Sequence, residues 1–212
     1  MIRWFAFLIA GSTIASLTGC NSMSSAASTS KRDCCRLITA SNFIADHSVY
    51  DLEATWETDA GQHQSLKDLA GRPQIVALIY ASCHVTCPIT LQSMKQLEAS
   101  LPRNVRSQVG FVLVTLDPAS DSTATLRSFR RSQQLSSRWF LLRGSSVATQ
   151  KFANSLGVAF VRDNFRLAHS AQITLLDATG KIMFRHTDLH ASLTELAKAV
   201  EATVPQQAAV VR

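Results

Sequence analysis

Charge is scarce in this chain of 212 residues: Asp, Glu, Lys and Arg together make up 17%, against 46% apolar residues. Chains that stay unfolded combine low hydrophobicity with high charge, so disorder along the whole length is excluded. A chain of this size buries roughly 70% of its unfolded surface, so a core forms without covalent staples. Cysteine is sparse as well, five residues in all, which excludes a disulfide-dense miniature scaffold. Long apolar runs are missing except near residue 1, which excludes a multi-span membrane protein. A strong excess of one charge is also missing. The 21 basic and 15 acidic residues leave +6, and the densest basic pairs are only Lys31-Arg32 and Arg130-Arg131. Nucleic-acid binding calls for a clustered basic stripe. No nucleic-acid partner is expected, and a solvated, slightly basic surface accounts for the charge.

What is present begins with an address. Residues 1–19 carry one positive charge at Arg3, a short apolar stretch and then small residues. That is the pattern of a secretory signal rather than a spanning helix. Its end, Leu17-Thr18-Gly19-Cys20, resembles a bacterial lipobox. The resemblance implies lipidation of Cys20, and two or more acyl chains anchor stably where one does not. The expected location is a membrane surface facing the periplasm or cell exterior, where disulfides are permitted. Residues 20–42 include a Ser/Ala/Thr-rich stretch without apolar periodicity and read as a lipidated Cys followed by a tether. Residues 43–204 form the folded domain, and 205–212 a tail.

Within the domain, strand and helix signals alternate. Residues 49–56 alternate apolar and polar before Asp59-Ala60-Gly61, predicting an N-terminal β-hairpin. Residues 65–71 predict a helical turn closed by Gly71. Residues 75–80 and 109–116 are continuous apolar runs, as for strands buried on both faces. Ile89, Leu91, Met94, Leu97 and Leu101 recur at helical spacing over 88–101. Further helices are predicted over 122–135, with Ser122 as a possible cap, over 146–156, stopped by Gly157, and over 192–203. A short strand is predicted over 139–142. A second hairpin joins 172–176 to 182–185. This order predicts an α/β sandwich, a central sheet flanked by helices.

The sharpest chemical feature is Cys83-His84-Val85-Thr86-Cys87-Pro88, at the junction of a buried strand and a helix. Residues four apart share a helix face, so Cys83 and Cys87 can converge on a metal or bond to each other. A helix N-terminus favours thiolates, and Pro88 suits a first turn because its missing N–H costs nothing there. Inert buried thiols or a plain structural disulfide are the alternatives. Zinc would want four ligands, and no second Cys pair stands at a zinc-ribbon spacing. Two thiolates and one imidazole suit copper. His169, just before a late strand, is the candidate third donor, the alternative being a solvated loop residue.

Four segments carry a resemblance to a known family. They are Tyr80-Ala81-Ser82-Cys83-His84-Val85-Thr86-Cys87-Pro88, Leu116-Asp117-Pro118-Ala119-Ser120-Asp121-Ser122, Ala168-His169-Ser170, and Leu176-Asp177-Ala178-Thr179-Gly180. In order and spacing the chain resembles the Sco/SenC family of thioredoxin-fold copper proteins, over about residues 43–200. The resemblance implies a thioredoxin-like domain in which Cys83, Cys87 and His169 bind one Cu(I) or Cu(II). It implies delivery of that copper to the dinuclear centre in the copper-bearing subunit of cytochrome c oxidase, with other copper chaperones or a thiol reductant as further partners. A disulfide between Cys83 and Cys87 would switch the site off. The chain departs from the family pattern at Ser122, where Thr is usual, and at His84, where Pro is frequent.

The rival expectation is a thiol-disulfide oxidoreductase, with Cys83 attacking and Cys87 resolving. A three-residue spacer and the lack of Pro over residues 160–173 speak against it. A peroxide-reducing enzyme would need an Arg-supported thiolate, and none is evident near the motif. Asp117 and Asp121 read as turn and cap residues, or as the rim of the site. Cys34-Cys35 are either a second redox or soft-metal element or two tether thiols. His84 reads as a solvent-facing residue with an auxiliary-ligand alternative. His186 and His190, four apart around Asp188, read as a solvated loop with weak metal binding as the alternative.

Overall fold

The computed structural model describes residues 47–162 and 167–205. In chain order the strands are β1 (Trp56–Thr58), β2 (His63–Gln64), β3 (Gln74–Ile79), β4 (Gly110–Thr115), β5 (Trp139–Arg143), β6 (Phe160–Arg162), β7 (Leu167–His169), β8 (Ile173–Leu176) and β9 (Ile182–His186). The α-helices are α1 (Thr86–Ser100), α2 (Arg103–Arg106), α3 (Thr123–Ser132), α4 (Ser146–Leu156) and α5 (Thr194–Thr203).

β3 and β4 are buried at every position, as their unbroken apolar runs require of strands covered on both faces. They pair in parallel, and β5 extends the parallel set beside β4. β8 joins the free flank of β3 antiparallel, and β9 follows it. The sheet order is β2-β1-β5-β4-β3-β8-β9.

Strand periodicity splits the core in two. Ile75, Ala77 and Ile79 point to one face, where Leu91, Met94 and Leu97 of α1, Leu126 of α3 and Leu196 of α5 cover them. Val76 and Leu78 point to the other, against Phe152 and Leu156 of α4 and against Trp56. The sandwich expected from the sequence is therefore formed, with helices on both faces. Among the described residues no helix is long and apolar enough to cross a membrane.

Helix ends follow local chemistry. The Ser122 hydroxyl accepts the Thr125 N–H and caps α3. Ser145 caps α4 in the same way, and Gly157 ends that helix in the left-handed region at φ 76°, a conformation that favours glycine.

Two expectations need correction. The N-terminal hairpin exists, but its first strand is only Trp56–Thr58. Residues 49–51 form a 3-10 turn instead, because the Ser48 hydroxyl accepts the Tyr50 N–H while Val49 and Tyr50 both bury. His186 is no solvated loop residue: it ends β9, pairs with Ile173 and is 7% exposed. His190 is exposed, its N–H held by the Asp188 carboxylate at 2.9 Å. Three elements went unforeseen: α2 and the small sheet of β6 and β7, each too short to show a period.

Candidate metal centre

The centre sits at the C-terminal end of β3, where chain crossovers in open α/β sheets leave a crevice. Tyr80, Ala81 and Ser82 lead out of the strand, and α1 begins at Thr86. The loop between them is pinned. The Cys83 N–H donates to the Tyr80 carbonyl at 3.1 Å. The Ala81 N–H donates to the Asp121 carboxylate at 2.9 Å, and the Thr115 hydroxyl donates to the same oxygen at 2.5 Å. Thr115 in turn accepts the Asp117 N–H at 3.0 Å. Asp121, 2% exposed, thus ties the cysteine loop to the end of β4. Burial raises its pKa, and the Thr115 and Ala81 donors oppose that rise. The turn reading holds for Asp117, whose carboxylate accepts the Ser120 N–H at 3.2 Å; Asp121 is not the cap, since Ser122 caps α3, and it shapes the rim of the site instead.

The helix start brings the cysteines together as the spacing of four implies. The Cys87 N–H donates to the Cys83 sulfur at 3.4 Å. Both cysteines are free thiols in the structure, Cys83 partly exposed and Cys87 buried. His169 closes the group from β7, whose register sets it opposite Phe160 of β6. Its Nε2 lies 3.7 Å from the Cys87 sulfur, and its Nδ1 lies 3.1 Å from the Ser170 carbonyl. A carbonyl only accepts, so Nδ1 carries the proton and the Nε2 lone pair faces the sulfurs. Metal-ligating histidines are commonly oriented this way.

The three donor atoms lie within 4.8 Å of one another, and they form the metal-competent group among the described residues. Donors that share one ion at about 2.0–2.3 Å each stand roughly 3.5–4 Å apart, so small side-chain rotations suffice. His84 is exposed, and neither it nor His186 nor His190 joins the group. Cys20, Cys34 and Cys35 lie outside the described residues.

The protonation states are uneven. Burial opposes the Cys83 thiolate, but the N–H and thiol of Cys87, the Tyr80 hydroxyl and the Val85 N–H all support it. The outcome holds Cys83 down at about 7. Burial and then the adjacent Cys83 sulfur push Cys87 well above the usual thiol range. Burial lowers His169, against its bond to Ser170, so the imidazole is neutral and available as a donor near neutral pH. Tyr80, which motif reading quoted without a role, touches each part of the centre. Its bond to Cys83 raises its own pKa to about 12, and its ring meets His169 edge-on at 5.9 Å. An aromatic directly after a buried strand and before the first Cys was the available signal.

A family profile described as SCO1/SenC matches residues 50–205. A Stutzerimonas stutzeri protein, provisionally named copper-binding, is 28% identical over 142 residues, covering 65% of this chain and 68% of its own. The structure of Bradyrhizobium japonicum ScoI with copper bound superposes with a TM-score of 0.60 at 20% identity, covering 71% of this chain and 97% of that one. BsSco, described as a member of the Sco family of cytochrome c oxidase assembly proteins and as holding a disulfide switch, gives 0.61 at 22% identity over 73% of this chain and 93% of its own. The shared architecture is the thioredoxin-like sandwich.

Proposed function

The chain belongs to the SCO1/SenC family, and on that premise we propose that it is a metallochaperone, anchored outside the cytoplasm through Cys20, that carries one copper ion. Its cargo passes to the copper-bearing subunit of cytochrome c oxidase. One observation carries the reading: two thiol sulfurs and an imidazole nitrogen, from segments 82 residues apart, lie within 4.8 Å of one another. That donor set is soft enough for Cu(I) and includes the nitrogen that Cu(II) wants. The copper in the related ScoI and the oxidase-assembly role of BsSco support the same reading.

A carrier must release as well as hold. Three donors leave a coordination position for an incoming ligand, so a partner's Cys, His or Met can add before the carrier's own donors let go. Cys83 is partly exposed and Cys87 buried, so the exchange opens on the Cys83 side. Thiols bind as thiolates, and a bond between Cys83 and Cys87 would remove both donors at once. Other copper chaperones upstream, and a reductant for that bond, are the further partners this chemistry calls for. Assembly of oxidase in cells carrying His169→Ala tests the reading: loss of the copper centre supports delivery, and normal assembly contradicts it.

One observation favours a second role, a thiol-disulfide oxidoreductase that keeps partner cysteines reduced. Cys83 is held near 7 while its neighbour Cys87 is raised by burial, the asymmetry of an attacking and a resolving thiol. That role needs sulfur alone. His169 has no part in it, which makes the histidine the discriminating residue.

A further inference from the structure

β3, β4 and β5 run parallel, so their first residues lie on the edge of the sheet opposite the metal centre. α2 sits on this edge, between the end of α1 and the start of β4. Its Arg103 and Arg106, three residues apart, share one helix face. Arg138, just before β5, joins them: its guanidinium donates to the Arg106 carbonyl at 3.3 Å, and its carbonyl accepts the Phe111 N–H at 3.2 Å. A cleft of about 330 Å³ opens here, with Lys95, Arg106 and Arg138 in its wall. The acid that lines it, Glu98, accepts the Trp139 indole N–H at 2.9 Å. Among the described residues no carboxylate pairs with Arg103, Arg106 or Arg138.

The described chain enters the domain on the same edge. The Val49 N–H donates to the Gly180 carbonyl at 2.9 Å, and the Ser48 hydroxyl donates to the Thr179 carbonyl. Both acceptors belong to the turn after β8, whose last residue Leu176 pairs with Gln74 at the start of β3. β8 lies three places from β5 in the sheet, about 15 Å at the usual strand spacing. Around the entry the signs balance, Asp51, Asp68 and Asp177 standing against Lys67, Arg72 and Lys181. The excess of positive charge on this edge is therefore at the α2 corner.

We propose that the corner of Arg103, Arg106 and Arg138 is a docking surface for anionic phospholipid headgroups, which sets the basic edge on the bilayer and turns the metal centre away from it. Guanidinium groups match phosphate oxygens in geometry as well as charge. Residues 21–46 reach at most roughly 90 Å, so an anchor at Cys20 keeps the edge on which the chain enters close to the membrane. The six residues of β3 then carry the centre roughly 20 Å farther out. That exceeds the Debye length of about 8–10 Å, so copper exchange takes place clear of the charged surface. The orientation rests on the Cys20 anchor proposed above; the headgroup contact does not.

The test is co-sedimentation of the full chain carrying Cys20→Ser with vesicles of phosphatidylcholine alone, and of phosphatidylcholine with about a quarter phosphatidylglycerol. Residues 1–19 and the Lys31-Arg32 pair are common to all variants, so differences between variants report the domain. The parent chain is expected to prefer the anionic vesicles. Arg103→Gln with Arg106→Gln is expected to weaken that binding at least fivefold, as loss of two basic contacts at a lipid surface implies. Arg103→Lys with Arg106→Lys keeps the charge and should keep most of the binding. Lys151→Gln with Lys198→Gln removes the same charge from exposed positions on α4 and α5 and should change binding less than twofold. Equal weakening by the two Gln pairs, or a parent chain without preference for anionic vesicles, overturns the proposal. A mature wild type that carries no lipid removes the anchor and with it the orientation, while the vesicle comparison still decides the headgroup contact.

Discussion

Cys83 and Cys87 stand four residues apart and carry opposite proton loads. Cys83 titrates at about 7, and Cys87 stays protonated through the neutral range because burial and the neighbouring sulfur raise it. Copper binding must therefore expel protons. Above pH 7 the one proton lost is that of Cys87, and Cu(I) affinity is expected to rise about tenfold per pH unit. Below pH 7 Cys83 is protonated too, and the rise steepens towards about a hundredfold per unit. His169 adds no step near neutrality, since burial keeps it neutral. Competition against a Cu(I) chelator across this range checks the slope, and a flat profile contradicts the site. His169→Ala is expected to abolish the thiolate-to-Cu(II) charge-transfer band and to lower Cu(I) affinity only modestly, because Cu(II) prefers nitrogen donors and geometries that two sulfurs do not supply. Reduction of a test disulfide should survive in the same preparation. A wild-type Cu(II) spectrum in this variant removes His169 from the site. The sequence pointed to Cys83 and Cys87 through their spacing alone. His169 had only the weak signal of a place just before a late strand, because its partners lie 82 residues away, and the family resemblance turned that candidate into an implied ligand. His186 was misread since nothing in a His-x-x-x-His pair reveals that one member ends a buried strand.

At the scale of elements, the chemistry depends on a loop held from below. The Asp121 carboxylate accepts from both the Ala81 N–H and the Thr115 hydroxyl. Asp121→Ala leaves two donors without a partner, each costing about 1–3 kcal/mol when buried, so a loss of roughly 2–6 kcal/mol is expected in denaturant unfolding. Asp121→Asn retains one acceptor oxygen and should lose less. A change under about 0.5 kcal/mol for Asp121→Ala, the range of ordinary surface substitutions, contradicts this account of the loop. The elements that carry the loop were legible. β3, β4 and the start of α1 announce themselves through unbroken apolar runs and an i, i+3, i+4 pattern. β6 and β7 span three residues each, too short for a period of two to repeat. The first hairpin strand was read too long because residues 49–56 alternate as a strand does, while Ser48 turns their start into a 3-10 turn.

For the whole molecule, the folded domain and the proposed address at residues 1–19 lead to separate predictions. The Leu17-Thr18-Gly19-Cys20 segment predicts a membrane-bound mature chain. Cys20→Ser should leave it without lipid and uncleaved at that signal, as fractionation and mass spectrometry would register; a lipid-free, soluble mature wild type contradicts the anchor. The central claim concerns the domain, and titration of the fully reduced chain with Cu(I) tests it most directly. Cys20, Cys34 and Cys35 are changed to Ser so that the thiols remaining are those of the site. The account predicts about one Cu(I) per chain, bound tightly, with tight binding lost in both Cys83→Ser and Cys87→Ser. Full affinity in either variant, or a parent chain that binds no copper, contradicts it.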